Sequence, residues 1–196
     1  MIGLFFGSFN PIHIGHLALA NYMRSFHRLQ EVWFVVTPHN PHKAQESLLA
    51  DHHRLELVRL AIGDEPGYRA SNIEFGLAQP NYTIHTLAHL EERYPGKQFC
   101  LIMGADNLSN LPKWKNGEVI LERYPILVYP RKDWPWEAVA ERLRTHPGVT
   151  LTEAPLLEIS ASFIRRALAE EKEVQWFMPE AVARYVKEMG FYRIKK

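Results

Sequence analysis

The sequence predicts an α/β fold built on a parallel sheet. Short apolar runs alternate with longer amphipathic ones along the whole chain, the pattern of βαβ units. The short runs are nearly continuous in apolar residues, as strands covered on both faces tend to be. No internal repeat, low-complexity tract, charge block or linker-like stretch divides the 196 residues, which predicts one domain over 1–196.

Taken in order, residues 2–6 read as the first strand and 15–27, rich in Leu, Ala and Met, as the first helix. A second strand follows at 32–37 (Val-Trp-Phe-Val-Val-Thr). In 51–62, Leu55, Val58 and Ile62 share one helical face, with Asp51 as the expected N-cap. A weaker strand is expected at 68–73. The pattern at 83–94 sets Ile84, Leu87, Ala88 and Leu90 among polar residues, and Pro95-Gly96 ends it. Strands are expected at 99–103 and 126–129, and a weaker one at 149–153. Asp106 opens a short helix at 106–110. Near the C-terminus, Val182, Tyr185, Val186 and Met189 form one stripe, with Pro179 suited to the first turn and Gly190 to the position after the cap. The expected architecture is a Rossmann-like single domain, a parallel sheet of five or six strands flanked by helices. In such sheets ligands bind outside the carboxyl ends of the strands, which directs attention to the loops after residues 6, 37, 103 and 129.

Composition narrows the partners. Lys and Arg number 23 against 22 Asp and Glu, so the net charge is +1. That balance argues against nucleic acid or an acidic membrane face as the main partner. It leaves room for a small anion held by local groups. The single cysteine, Cys100, has no intramolecular disulfide partner and reads as core filler in a reducing, cytoplasmic setting. No apolar run approaches the 18 residues or so that a membrane-spanning helix needs.

The loop after the first strand carries the chemistry: Gly7-Ser8-Phe9-Asn10-Pro11-Ile12-His13-Ile14-Gly15-His16. Gly7 lets the backbone turn and a ligand approach. Gly15, at the start of the next helix, is expected to leave space for a base or phosphate. His13 and His16, three apart, can face one site. A helix N-terminus attracts anions through its free N–H groups and dipole, and two imidazoles add directional donors. A zinc pair is the alternative, but His-x-x-His is not the i, i+4 pair of metalloproteases and Cys100 is the only thiol.

This segment resembles the first signature of the nucleotidyltransferase superfamily, and Ile159-Ser160-Ala161-Ser162-Phe163-Ile164-Arg165 resembles the second. Pro38-His39-Asn40-Pro41-His42-Lys43, Asn81-Tyr82-Thr83-Ile84-His85-Thr86-Leu87 and Gly104-Ala105-Asp106-Asn107-Leu108 with Trp114 make the whole similar to the bacterial nicotinate-mononucleotide adenylyltransferases. The resemblance covers residues from about 2 to about 170. It implies that nicotinate mononucleotide and ATP give deamido-NAD and pyrophosphate, with Mg²⁺ accompanying the nucleotide and no metal ligands from the protein. It carries Gly7, Ser8, Phe9, His13 and His16 to the ATP-phosphate loop, and Ser160 and Arg165 to a second phosphate segment. Gly104 and Asp106 match the ribose site, Lys43 a contact to the substrate phosphate, and Thr83 and Trp114 the nicotinate pocket. His13, His16 and Arg165 are the implied catalytic groups. The resemblance leaves open whether the protein forms a homo-oligomer.

Two positions depart from the pattern. Asn10 stands where the family usually has Asp, and Ala161 removes one hydroxyl from a usual run of Ser and Thr. Pantetheine-phosphate adenylyltransferases are the nearest relatives but lack the Thr83 and Trp114 segments. Class I aminoacyl-tRNA synthetases share His-Ile-Gly-His, yet 196 residues leave no space for an anticodon-reading domain. Asp51-His52-His53 matches the name motif of a metal-dependent phosphoesterase family, but it opens a helix here and its companion Asp motifs are missing. A nucleotide-binding regulatory module without turnover is the non-enzyme alternative; intact His13, His16 and Arg165 argue against it.

Overall fold

The computed structural model describes residues 1–38 and 48–193. Six parallel strands form one sheet: β1 (Ile2–Gly7), β2 (Glu31–Val36), β3 (Tyr68–Ser71), β4 (Phe99–Gly104), β5 (Ile126–Tyr129) and β6 (Val149–Leu151). The helices are α1 (Ile14–Phe26), α2 (Asp51–Ile62), α3 (Thr83–Arg93), α4 (Ala105–Asn110), α5 (Gly117–Arg123), α6 (Glu141–Arg144), α7 (Ala161–Ala169) and α8 (Glu180–Glu188). The strand order is β3-β2-β1-β4-β5-β6. The chain builds outward from β1 on one side, then returns to place β4 on its other side. That reversal between β1 and β4 is where a doubly wound sheet opens a crevice for ligands.

Both faces are covered, which is why the strands lack a polar side. Phe5, Phe34, Val36, Ile102 and Leu127 point to one face and pack with α1, α2, α7 and α8. Leu4, Trp33, Val35, Leu101 and Val128 point to the other and pack with α3, α4 and α5. Alternation along one strand therefore feeds two cores. Cys100 is a buried core residue, and burial pushes its thiol up to about 12. It is thus an unreactive filler.

Local departures from the expected elements have simple causes. Ala50, not Asp51, is the N-cap of α2. Asp51 lies inside the first turn because its carboxylate pairs with Arg54. The strand expected at 68–73 ends at Ser71, and Ile73–Gly76 forms a 3-10 turn that buries Ile73 instead. Gly190 does take the left-handed conformation after α8, at φ +64°.

Candidate active site

β1 ends at Gly7, and the loop to α1 lies over the switch point. A Cβ at Gly7 would stand 2.9 Å from Cζ of Phe9. The Phe9 ring is itself buried, edge-on to Phe5, Phe34 and His16. Phe9 was expected at the nucleotide. In the structure its ring is a buried core anchor beneath the loop, drawn there by its apolar area.

His13 is the N-cap of α1 and His16 its third helical residue. Their rings lie 3.7 Å apart at 30°. The backbone N–H of His13 donates to Nδ1 of His16 at 3.2 Å. With Nδ1 accepting, the proton of the neutral ring sits on Nε2. Burial pushes His13 down to about 4. Burial, followed by the neighbouring His13 and Arg131, holds His16 well below the ordinary histidine range. Both rings are therefore neutral at pH 7. Among the described residues, buried Nδ1 of His13 has no hydrogen-bond partner. Gly15 serves this pair: a Cβ there would come 3.1 Å from the His13 ring and 3.6 Å from Cβ of Ile159. Its missing side chain thus accommodates the His13 imidazole, and Gly15 itself lines the cleft.

These residues line an open cleft of about 450 Å³ with Tyr129, Arg131, Lys132, Glu158, Ser160 and others. Ser160 caps α7, its Oγ accepting the Phe163 N–H at 3.2 Å. Arg165, one turn on, is not among the residues lining the cleft and donates to the carbonyl of Asn10 at 2.8 Å. The two sequence segments, 155 residues apart, thus meet.

Gly104 is the N-cap of α4 and Asp106 its second residue. A Cβ on Gly104 would fall 2.4 Å from Oδ1 of Asp106, so the glycine gives that carboxylate its place. Oδ1 is buried, makes no hydrogen bond among the described residues, and lies 3.9 Å from Nε of Arg131. A second, smaller cavity of about 120 Å³ lies at the ends of β1 and β4, lined by Gly7, Thr37, Met103, Asn107, Trp114 and Tyr129 among others. Tyr129 borders both cavities. Trp114 is half-buried there, so one part of its ring is core and another faces the cavity. Thr83 is the first residue of α3 and is not among the described lining residues of either cavity. Lys43, His39 and His42 lie outside the described residues.

Sequence reasoning missed Arg54. Its side chain is wholly buried and donates to the carbonyls of Ser8 (2.8 Å), Thr37 (2.7 Å) and Leu49 (2.9 Å), and to the Asp51 carboxylate. It ties the carboxyl ends of β1 and β2 together beneath the loop that follows β1. The signal was present: Arg54 stands on the apolar stripe of α2 with Leu57, Val58 and Ala61, where a cation survives only with partners. Tyr129 and Arg131 were missed as well, since one read as strand and the other as loop.

The cytidylyltransferase-like family model matches residues 4–167. A protein named probable nicotinate-nucleotide adenylyltransferase from Christiangramia forsetii is 52% identical over 192 residues, 98% of each chain. One of the same name from Flavobacterium psychrophilum is 48% identical, again over 98% of each. The structure is similar to that of Plasmodium falciparum nicotinic acid mononucleotide adenylyltransferase, solved in complexes with APC and with NaAD, at a TM-score of 0.78 and 19% identity, covering 97% of this chain and 96% of that one. At that identity the likeness is one of fold.

Proposed function

The chain belongs to the cytidylyltransferase-like family, and from that premise we propose that it is a nicotinate-nucleotide adenylyltransferase, making deamido-NAD and pyrophosphate from nicotinate mononucleotide and ATP in NAD biosynthesis. The observation that carries the reading is the neutral His13–His16 pair at the switch point, with its protonated Nε2 assigned by the His13 N–H.

The reaction needs no general base. The attacking oxygen belongs to a phosphate monoester whose second pKa is ~6, so it is already largely dianionic at pH 7. It forms a bond to the α-phosphorus of ATP as the bond to the bridging oxygen of pyrophosphate breaks opposite it. The protein's part is placement and charge stabilisation. His16 Nε2–H donates to an α-phosphate oxygen as charge builds there. A neutral donor suits that role, because its proton stays on the ring before and after the step. His13 and the first N–H groups of α1 and α7 assist. Arg165 meets the leaving pyrophosphate, and the Asp106 carboxylate accepts from ribose hydroxyls. Ser8, Gly7 and Ser160 line the phosphate path. Trp114 offers a stacking face for the pyridine ring, Thr83 flanks it, and Lys43 supplies charge for the acceptor's phosphate.

Mg²⁺ is proposed as the accompanying ion; bound with the nucleotide it would supply positive charge to the pyrophosphate oxygens, beside Arg165. The cleft lining offers the imidazoles of His13 and His16, the cations Arg131 and Lys132, and the carboxylates Asp133 and Glu158. No described helix is long and apolar enough to cross a membrane; a cytoplasmic location is proposed separately, from the reducing setting that the single cysteine suggests.

Incubation with ATP, Mg²⁺ and each of nicotinate mononucleotide, nicotinamide mononucleotide and phosphopantetheine, with pyrophosphate and dinucleotide measured, tests the reading. The expected result is turnover with the first acceptor at a kcat/KM well above the other two. Turnover with phosphopantetheine alone would assign the protein to a different branch.

A further inference from the structure

Asn10 is a meeting point for three distant parts of the chain. It is buried, and its carbonyl accepts from Nη1 of Arg165 at 2.8 Å. Its side-chain Oδ1 accepts the backbone N–H of Leu49 at 3.2 Å and the hydroxyl of Tyr192 at 2.7 Å. Tyr192 lies beyond α8, 182 residues away in sequence. Its neighbours hold it there. Gly190 turns the backbone at φ +64°, and the Phe191 N–H donates to the Val186 carbonyl at 3.1 Å. The Phe191 ring packs edge-on against His53 and Tyr185, 4.8 and 5.7 Å between centroids.

Tyr192 itself sits at φ +65°, a region sterically disfavoured for a residue with a side chain. The backbone adopts it while the phenol is delivered inward onto the loop. Burial pushes that phenol above its ordinary value even with Arg165 and Arg54 nearby, so the hydroxyl remains a donor throughout neutral pH. An Asn at position 10 accepts this bond through its neutral amide oxygen; an Asp would accept it more strongly, as a charge-assisted bond.

We propose that Tyr192 is a positioning residue for the reaction: through Asn10, its hydroxyl fixes the placement of Arg165 relative to the loop that carries His13 and His16. The proposal rests on the adenylyltransferase reading above. It extends the site machinery past the segment spanned by the two signature motifs, into the turn after α8. Loss of the hydroxyl would leave the phenyl ring in place and the fold intact, while freeing the loop that presents groups to the triphosphate.

The experiment is Tyr192→Phe in the full chain, with steady-state kinetics, ATP affinity by calorimetry and thermal unfolding. The expected result is a loss of about tenfold in kcat/KM for ATP, with KM for nicotinate mononucleotide within twofold and Tm nearly unchanged. Asn10→Ala should produce a similar loss, and the double variant should lose no more than Asn10→Ala alone. Asn10→Asp, which keeps the acceptor, should retain activity and carries the test if Tyr192→Phe does not fold: a loss as large as that of Asn10→Ala would then overturn the proposal. Kinetics for Tyr192→Phe within twofold of wild type, or losses that add in the double variant, would also overturn it. If wild type shows no turnover with nicotinate mononucleotide, the functional reading fails separately. The positioning role is then decided by ATP affinity, expected to weaken about tenfold in Tyr192→Phe and contradicted by equal affinity.

Discussion

His16 differs from a surface histidine in being held neutral at pH 7, which suits the phosphate contact proposed for it. Its proton is fixed on Nε2 by the His13 backbone, and its charge is suppressed by burial, His13 and Arg131. His16→Ala should lower kcat by ~10²-fold or more, as loss of an oxyanion-type donor does, with KM for either substrate less affected. The same burial makes stability pH-dependent. An unfolded histidine titrates near pH 6.5, whereas folded His13 titrates at about 4. Below pH 6.5 the unfolded chain binds a proton that the folded one refuses. This contribution is therefore intact above pH 6.5 and is lost as pH falls toward 4, by up to ~1.4 kcal/mol per pH unit. Urea denaturation from pH 7 to 5.5 should show a shallower decline in His13→Asn than in wild type; identical slopes would refute the buried-neutral assignment. The signature motifs made these two histidines legible in sequence. For Arg54 only its burial was legible, from its place on the apolar stripe of α2; its carbonyl partners 46 and 17 residues away, like the partner of Tyr192 182 residues away, leave no local spacing to read.

Among the elements, α2 and the junction of β4 with α4 bear most directly on the site. α2 delivers Arg54 to three carbonyls and a carboxylate. Arg54→Leu would leave those groups buried and unpaired, a loss of ~3–5 kcal/mol in unfolding free energy by urea titration. Arg54→Lys should recover only part of it, since one ammonium cannot reach Leu49, Asp51 and the Ser8 and Thr37 carbonyls that Nε, Nη2 and Nη1 serve separately. At the β4–α4 junction, Gly104→Ala would displace the Asp106 carboxylate, a movable side-chain tip, so KM for ATP should rise with little change in Tm. Equal losses in both would point to a backbone defect instead. The strands were legible because continuous apolar runs are what a sheet covered on both faces requires. The cap of α2 was not: Asp at a helix start reads as a cap, and here a buried guanidinium claims its carboxylate. The smaller cavity lined by Trp114 was legible only through resemblance, since its walls come from the ends of different strands.

For the molecule as a whole, one sheet feeds two cores, and every central strand contributes to both. Neither core can melt while the other persists, so far-UV circular dichroism and tryptophan fluorescence should report one urea midpoint for 1–196; two resolved midpoints would argue for separate units. The strand order has a further meaning for synthesis on the ribosome. β1 pairs with β2, β2 with β3, β1 again with β4, β4 with β5 and β5 with β6, so each new strand finds its neighbour already made. Sheet growth can keep pace with translation. The loop after β1 cannot, because Asn10 receives Arg165 and Tyr192 only after the last strand, β6, has been made. A nascent chain carrying the whole sheet would still lack the two contacts that hold Asn10 from α7 and from the turn after α8, so this loop settles later than the strands beneath it.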